Sequence, residues 1–259
     1  MFNIIKSAFA MCAIGFAIPP ATAAAAAKPT IVLVHGAFAE SSSWSGVVDE
    51  LTKRGYPVVA AANPLRGVAS DGAYVASLSR SIKGPVVLVG HSYGGAVISA
   101  AANGAGNVKA LVFVAAFAPD AGESCLDLTA KFPGSTLPPT LAPGVALVEG
   151  GEDLYIQQDK FPQQFAADVP VAQSRAMAAT QRPIKAAALA ESAGTPAWKA
   201  IPSWAIYGTG DLNIPPAAMG FMAERAAAKK TVVVKGASHV VMVSHPQEVA
   251  SLIQLAASD

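Results

Sequence analysis

The sequence is poor in charge. Only 14% of its 259 residues are charged, and the formal net charge is +1. Such a chain has no basic surface dense enough to bind a phosphate backbone, so nucleic acid is excluded as a partner. By contrast, 53% of the residues are hydrophobic, which is enough for one domain with a large buried core.

Cysteine is scarce as well, since the chain contains only Cys12 and Cys125. Cys12 lies in a predicted signal peptide, so the mature chain keeps one cysteine and cannot form an intramolecular disulfide. No motif surrounds Cys125, and we interpret it as a half-buried bystander rather than a nucleophile. No pair of Cys or His residues has metal-ligand spacing, so the sequence predicts no metal site.

The N-terminal segment has the order of a secretory signal. Lys6 is followed by an apolar run over residues 7–18, then by two prolines and a tract of alanines. This order predicts a signal peptide over residues 1–27, cleaved between residues 23 and 28, and hence a secreted or periplasmic protein. An uncleaved membrane anchor is the alternative, although the prolines oppose a continuous helix. Removal of Lys6 takes the net charge from +1 to 0, so no stable membrane association is expected after cleavage.

From residue 30 onwards, short apolar runs alternate with longer amphipathic ones. The short runs are β-branched and continuously apolar, which is typical of parallel strands covered by helices on both faces. The pattern predicts an α/β fold with a mostly parallel central sheet, in one domain over residues 28–259. The predicted strands are 31–34, 57–60, 86–89, 110–114, 204–207 and 231–234, and the predicted helices are 44–54, 74–82, 94–102, 216–228 and 246–257.

The strand rhythm stops between residues 120 and 202. This stretch is rich in Pro, Gly and polar residues around short helical patches. Ligands of open parallel sheets bind at the carboxyl edge of the strands. We therefore predict a small lid insertion over that edge, whereas the alternative is an irregular connection with no role in binding.

The motif that carries chemistry follows the strand 86–89. It is G-x-S-x-G, spanning Gly90 to Gly94 around Ser92, and a helix follows at once. In a tight strand-to-helix turn, a serine needs small neighbours two residues away on either side, and its hydroxyl is then presented at the edge of the sheet. The pattern predicts Ser92 as a nucleophile.

A serine nucleophile needs a histidine base, and four histidines are available. His239 follows the strand 231–234 through a short loop, at the same sheet edge as Ser92. His35 and His91 are better interpreted as packing residues of that edge, and His245, before a proline at a helix start, as a capping or surface residue. We predict His239 as the base.

The base in turn needs a carboxylate that orients it. Asp211 follows the strand 204–207, and the chain order Ser, Asp, His is the order of serine hydrolases on an α/β sheet. Asp120 is the rival, because a carboxylate after the neighbouring strand can also reach the histidine.

The oxyanion of an acyl-transfer reaction needs two backbone N–H donors. One is expected from Tyr93, the residue after the nucleophile, and the other from the loop after the first strand. In that loop Ala37 is the preferred donor, with Phe38 as the open alternative. We expect Phe38, Tyr93, Phe117 and the lid to form apolar walls of the substrate pocket.

Four motifs together resemble the α/β-hydrolase superfamily: V-L-V-H-G-A at 32–37, V-G-H-S-Y-G-G at 89–95, G-D-L-N-I-P at 210–215 and S-H-V-V-M-V-S at 238–244. They are most similar to the branch of plant methylesterases and hydroxynitrile lyases and their bacterial esterase relatives. The resemblance implies Ser92, Asp211 and His239 as a triad, Ala37 and Tyr93 as oxyanion donors, and neither a metal nor an organic cofactor.

Two departures separate the esterases from the lyases of this branch. The lyases carry threonine where Gly36 stands and lysine where Val240 stands, and without that cation a departing cyanide loses its main electrostatic support. The sequence thus predicts a carboxylic ester hydrolase for small or medium uncharged substrates. Lyase-like or perhydrolase activity on the same triad and a non-catalytic ligand-binding homologue are the alternatives, and a homodimer is compatible with the sequence.

Overall fold

The computed structural model describes residues 1–2 and 27–259. The predicted signal peptide therefore lies outside the described residues except at its two ends, and so do most of its predicted cleavage positions. In the part of the chain that the structure describes, no helix is long and apolar enough to cross a membrane.

The centre of the molecule is a six-stranded parallel sheet. Its order is β2-β1-β3-β4-β8-β9, so β3 and β4 occupy the middle. All six residues of β3 are buried, as expected for a strand covered on both faces. The strands are β1 (Thr30–Val34), β2 (Val58–Ala61), β3 (Val86–His91), β4 (Val108–Val114), β8 (Ser203–Gly208) and β9 (Lys230–Val234).

Helices cover this sheet. Among the described residues, the first and last helices pack against each other, and so do the second and third. The predicted α/β class with a mostly parallel central sheet is confirmed. The helices outside residues 120–202 are α1 (Ser45–Lys53), α2 (Val68–Ser81), α3 (Gly94–Asn103), α8 (Pro216–Arg225), α9 (Val241–Ser244) and α10 (Pro246–Ser258).

The segment 120–202 adds no strand to the central sheet. It forms a small antiparallel sheet of order β5-β6-β7 together with four short helices. We call these residues the lid segment. Its elements are α4 (Cys125–Lys131), β5 (Val145–Ala146), β6 (Glu152–Leu154), α5 (Phe161–Phe165), α6 (Val171–Ala179), β7 (Ile184–Lys185) and α7 (Ala186–Ala190).

Candidate active site

Ser92 occupies a sharp turn between β3 and α3, which we call the elbow. Its φ angle is +54°, in the left-handed region that costs a residue with a side chain about 1–3 kcal/mol. The surrounding backbone holds the turn in place. The Ser92 N–H lies 3.2 Å from the carbonyl oxygen of Ala115, and the Ser92 carbonyl accepts from Gly95 at 3.0 Å and from Phe117 at 3.1 Å.

The glycines around Ser92 are required by close backbone approaches. A Cβ on Gly90 would lie 2.5 Å from the carbonyl oxygen of Gly94, and a Cβ on Gly94 would lie 2.5 Å from that of Val34. A Cβ on Gly95 would collide with the carbonyl of Phe117. The G-x-S-x-G pattern therefore reflects space that only glycine leaves free.

His239 and Asp211 form a buried pair. His239 Nδ1 lies 2.6 Å from Asp211 Oδ2, and both side chains are almost fully excluded from solvent. The other carboxylate oxygen of Asp211 accepts from the backbone N–H groups of Asn213 at 2.8 Å and Ile214 at 2.9 Å. Because Nδ1 donates to the carboxylate, the Nε2 lone pair of His239 is left to accept a proton.

The structure brings Ser92 and His239 to the wall of one cavity. Among the described residues, no hydrogen bond joins the Ser92 hydroxyl to His239. Contacts of this kind are often long before a substrate is bound. The arrangement nevertheless places the hydroxyl, the imidazole and its carboxylate partner at the carboxyl edge of the sheet.

The other candidates for the orienting carboxylate and for the base have different partners. Asp120 is paired with the exposed ammonium of Lys199, which lowers the pKa of its carboxyl. His35 Nε2 accepts from the Asn63 N–H at 3.1 Å, so its Nδ1 carries the proton and donates to the Gly36 carbonyl at 2.9 Å. Burial lowers the pKa of His35. His245 lies on the outside, 3.6 Å from the Asp168 carboxylate.

The two candidate oxyanion donors differ from Phe38 in their hydrogen bonding. The Phe38 N–H donates to the carbonyl oxygen of Arg182 at 2.9 Å. Among the described residues, the N–H groups of Ala37 and Tyr93 have no acceptor. This hydrogen bonding therefore favours Ala37 over Phe38 as the second oxyanion donor.

The prediction that the side chain of Tyr93 forms a wall of the pocket is wrong. Its ring is fully buried and does not line the cavity, and its hydroxyl donates to Asp71 Oδ2 at 2.9 Å. Burial raises the pKa of both Tyr93 and Asp71. The side chain of Tyr93 therefore anchors the elbow from behind, while its N–H remains available at the front.

The cavity has a volume of about 280 Å³ and an apolar wall. Phe38 and Phe117, both predicted from the sequence, line it, and no Lys, Arg, Asp or Glu side chain does. The lid segment supplies a large share of the wall, as the sequence predicts, but through residues that sequence reasoning did not identify individually. Those lid residues are Cys125, Leu126, Thr129, Ser135, Leu137, Pro138, Leu141, Leu154, Phe165, Ala186 and Leu189.

Two lid residues have specific positions in this wall. The ring of Phe165 lies 5.1 Å from that of His239, between the centroids, and covers the histidine. Cys125 is fully buried rather than half-buried, and burial raises the pKa of its thiol. A protonated thiol is a poor nucleophile, so Cys125 acts as a small apolar wall residue. In the described part of the chain, no cluster of His, Cys, Asp and Glu could hold a metal ion.

Comparison with known proteins gives the family. A sequence model of the Alpha/beta hydrolase family matches residues 31–252. Among solved structures, the chain is similar to polyneuridine aldehyde esterase, with 21% identity, a TM-score of 0.75, and coverage of 90% of this chain and 100% of that one. It is also similar to a pyrethroid hydrolase from Sphingobium faniae JZ-2, with 22% identity, a TM-score of 0.70, and coverage of 89% and 97%.

A third solved structure, an extracellular alpha/beta-hydrolase from a Paenibacillus species, shares 23% identity at a TM-score of 0.70, with coverage of 89% and 100%. A search of curated proteins finds no match. Structural likeness at such identities supports the fold, and the family model covers most of the sequence. The chain belongs to the Alpha/beta hydrolase family.

Proposed function

We propose that this protein is a serine hydrolase that cleaves carboxylic esters of small or medium uncharged substrates through an acyl-enzyme. One observation carries the proposal. Ser92, held in a strained turn, and His239, bonded to the buried Asp211, line the same cavity. The base has the carboxylate partner that its role requires, and the nucleophile faces the same cavity as the base.

The reaction follows from these positions. Ser92 Oγ attacks the ester carbonyl while His239 Nε2 takes its proton, and the Asp211 carboxylate stabilises the resulting imidazolium. The N–H groups of Ala37 and Tyr93 receive the oxyanion. His239 then returns the proton to the leaving alcohol, and a water molecule activated by His239 releases the acid from Ser92.

The cavity favours uncharged substrates. Its wall carries no formal charge other than that which His239 acquires, and a charged group moved into such surroundings loses its hydration without gaining a partner. The cavity of about 280 Å³ lies at the small end of the usual range for ligand pockets. Two of the similar structures are named as an esterase and a pyrethroid hydrolase, which agrees with ester cleavage.

The lyase alternative is disfavoured by two positions. A Cβ on Gly36 would lie 2.5 Å from Ser92 Cβ and 3.1 Å from Ser92 Oγ, so a threonine there would require the elbow to move. Val240 is fully buried and apolar. No Lys or Arg side chain lines the described cavity, so no lysine or arginine cation could stabilise a departing cyanide.

The proposal is tested by hydrolysis of p-nitrophenyl acetate and butyrate. We expect Ser92→Ala to lose at least about a thousandfold in kcat, because no other hydroxyl in the cavity lies on the elbow. Ser135→Ala is the matched control, since Ser135 lines the same cavity, and it should stay near the wild-type rate. Phenylmethylsulfonyl fluoride should label Ser92, as located by mass spectrometry.

Two results would overturn this assignment. One is equal activity of wild type and Ser92→Ala, which would place the nucleophile elsewhere. The other is a wild type that neither turns over these esters nor reacts with the fluoride, together with cyanide release from mandelonitrile, which would favour the lyase.

A further inference from the structure

A buried histidine beside the nucleophile has no part in the reaction described above. His91 is the last residue of β3, and its side chain is completely buried. Its Nε2 lies 3.1 Å from the backbone carbonyl oxygen of His239. Since a carbonyl oxygen can only accept, Nε2 carries the proton and donates it.

His91 also packs against the ring of His239. The two ring centroids are 4.7 Å apart, with the planes inclined at 53°. Trp44 and Phe165 contact the His91 ring edge-on, at centroid distances of 6.4 Å and 6.3 Å. His91 is therefore held on several sides and touches both the backbone and the side chain of the proposed base.

The protonation of His91 suits this position. Burial, and after it the charge of His239, hold the pKa of His91 well below its usual range. In the described part of the chain its Nδ1 has no hydrogen-bond partner. His91 therefore stays neutral when His239 becomes positively charged during the reaction, and the two rings do not repel each other.

The loop that carries His239 is fixed through its neighbouring residues as well as at His239 itself. The Gly210 N–H donates to the carbonyl of Ala237 at 3.0 Å, and Asp211 fixes the imidazole at Nδ1. His91 is the donor that the described residues offer to the His239 carbonyl. Without this donor the His239 carbonyl would be buried and unpaired, and one of the contacts that fix His239 relative to Ser92 would be lost.

We propose that His91 is a positioning residue, which aligns His239 with Ser92 through the hydrogen bond from its Nε2–H to the His239 carbonyl. This inference rests on the proposed function, because it assigns a partner to the base named there. It distinguishes His91 from a residue that merely fills the space behind the elbow.

Two substitutions of equal length separate these roles. In His91→Gln the amide nitrogen reaches the place of Nε2 and can donate to the carbonyl, whereas His91→Met fills similar space without a donor. We expect kcat for p-nitrophenyl butyrate to fall about 10–100-fold in the Met variant, since small misplacements of catalytic groups have effects of this size. The Gln variant should keep kcat within about threefold, and KM should change little in either.

A readout that needs no turnover accompanies the kinetics. The proton between His239 Nδ1 and Asp211 should give a low-field proton NMR resonance, assigned by its absence in His239→Gln. We expect it in the wild type and in His91→Gln, and shifted or broadened in His91→Met. A purely packing role favours the apolar Met over the polar Gln, so any order other than Gln above Met in kcat overturns the inference.

The two hypotheses fail separately. If the wild type hydrolyses no ester and Ser92 is not labelled, the proposed function fails, while the resonance still tests whether His91 fixes His239. If the esters are cleaved but the Met variant matches the Gln variant in kcat and in the resonance, the positioning role fails and the hydrolase stands.

Discussion

At the scale of single residues, this site depends as much on glycines, which have no side chain, as on its polar side chains. Gly36 lies directly against the nucleophile, and its Cβ would approach both Ser92 and the carbonyl oxygen of His91, the latter at 2.7 Å. Its φ is not in the left-handed region, so the requirement for glycine at this position is one of space. The conformational requirement instead falls on Ser92, which takes a positive φ despite its side chain.

This distinction gives a prediction for Gly36→Ala. The added methyl group should push Ser92 out of line with His239 and reduce kcat by about a hundredfold, a typical effect of a misplacement near 1 Å. Gly106→Ala is the control, because a Cβ there would meet nothing within 4 Å. Ester hydrolysis measures both. A normal kcat in the Gly36 variant would show that the loop can move aside without disturbing the alignment of Ser92 with His239.

The sequence was sufficient to place Ser92, Asp211 and His239 at one edge of the sheet. Each of them follows a strand, and strand ends of a parallel sheet share one edge. The sequence favoured Ala37 but left Phe38 open, since the choice depends on the hydrogen bond from the Phe38 N–H to the carbonyl of Arg182 in the lid segment. The position of the Tyr93 ring likewise depends on Asp71, a partner that no local pattern reveals.

At the scale of elements, the predicted and observed helices differ most at the start of α2. The pattern predicts residues 74–82, but the helix begins at Val68. The reason is its cap, which comes from the lid segment: the Glu191 carboxylate accepts from the N–H groups of Val68 at 2.8 Å and Ala69 at 2.9 Å. A carboxylate also suits the positive end of the helix dipole. A cap this distant in sequence gives no local signal.

The cap predicts the effect of Glu191→Ala on stability. Loss of an N-terminal cap should lower the free energy of unfolding by about 0.5–2 kcal/mol, measured by urea denaturation. Glu224→Ala serves as control, because Glu224 is exposed and makes no ion pair among the described residues. Equal stability of the two variants would mean that water replaces Glu191 without loss.

The lid segment marks the limit of prediction from pattern. Its strands β5, β6 and β7 span only two or three residues each, which is too short for an alternation of apolar and polar residues to be read. Phe165 covers His239. Its helix α5 has only five residues, which is too few for a helical repeat of apolar residues to be recognised. The sequence therefore located the segment, but not the wall residues that it contributes to the cavity.

At the scale of the whole molecule, ion pairs fasten the lid segment to the core. Three of them join residues on the two sides at 2.8 Å: Arg66 with Asp153, Glu40 with Arg182, and Arg225 with Glu123. The Arg66–Asp153 pair is connected further into the core. The backbone N–H of Arg66 donates to Asp71 at 3.1 Å, and Asp71 accepts from the Tyr93 hydroxyl. A continuous set of bonds thus links β6 to the residue after the nucleophile.

Arg66→Met tests whether this connection holds the lid segment in place. The guanidinium also donates to the carbonyl of Pro183. Its loss therefore leaves this carbonyl and the Asp153 carboxylate without that partner, and Asp153 is 8% exposed. Because the Arg66 side chain is 35% exposed, solvent screening limits the expected loss of stability to about 1–2 kcal/mol. Amide hydrogen exchange should then accelerate about tenfold or more in residues 152–154, with little change in residues 86–91, since the lid would open without the core.

Arg175→Met, which removes an exposed arginine of α6 without an ion pair in the described residues, should alter neither segment. Equal acceleration in both segments of the Arg66 variant would instead mean that lid and core open as one unit.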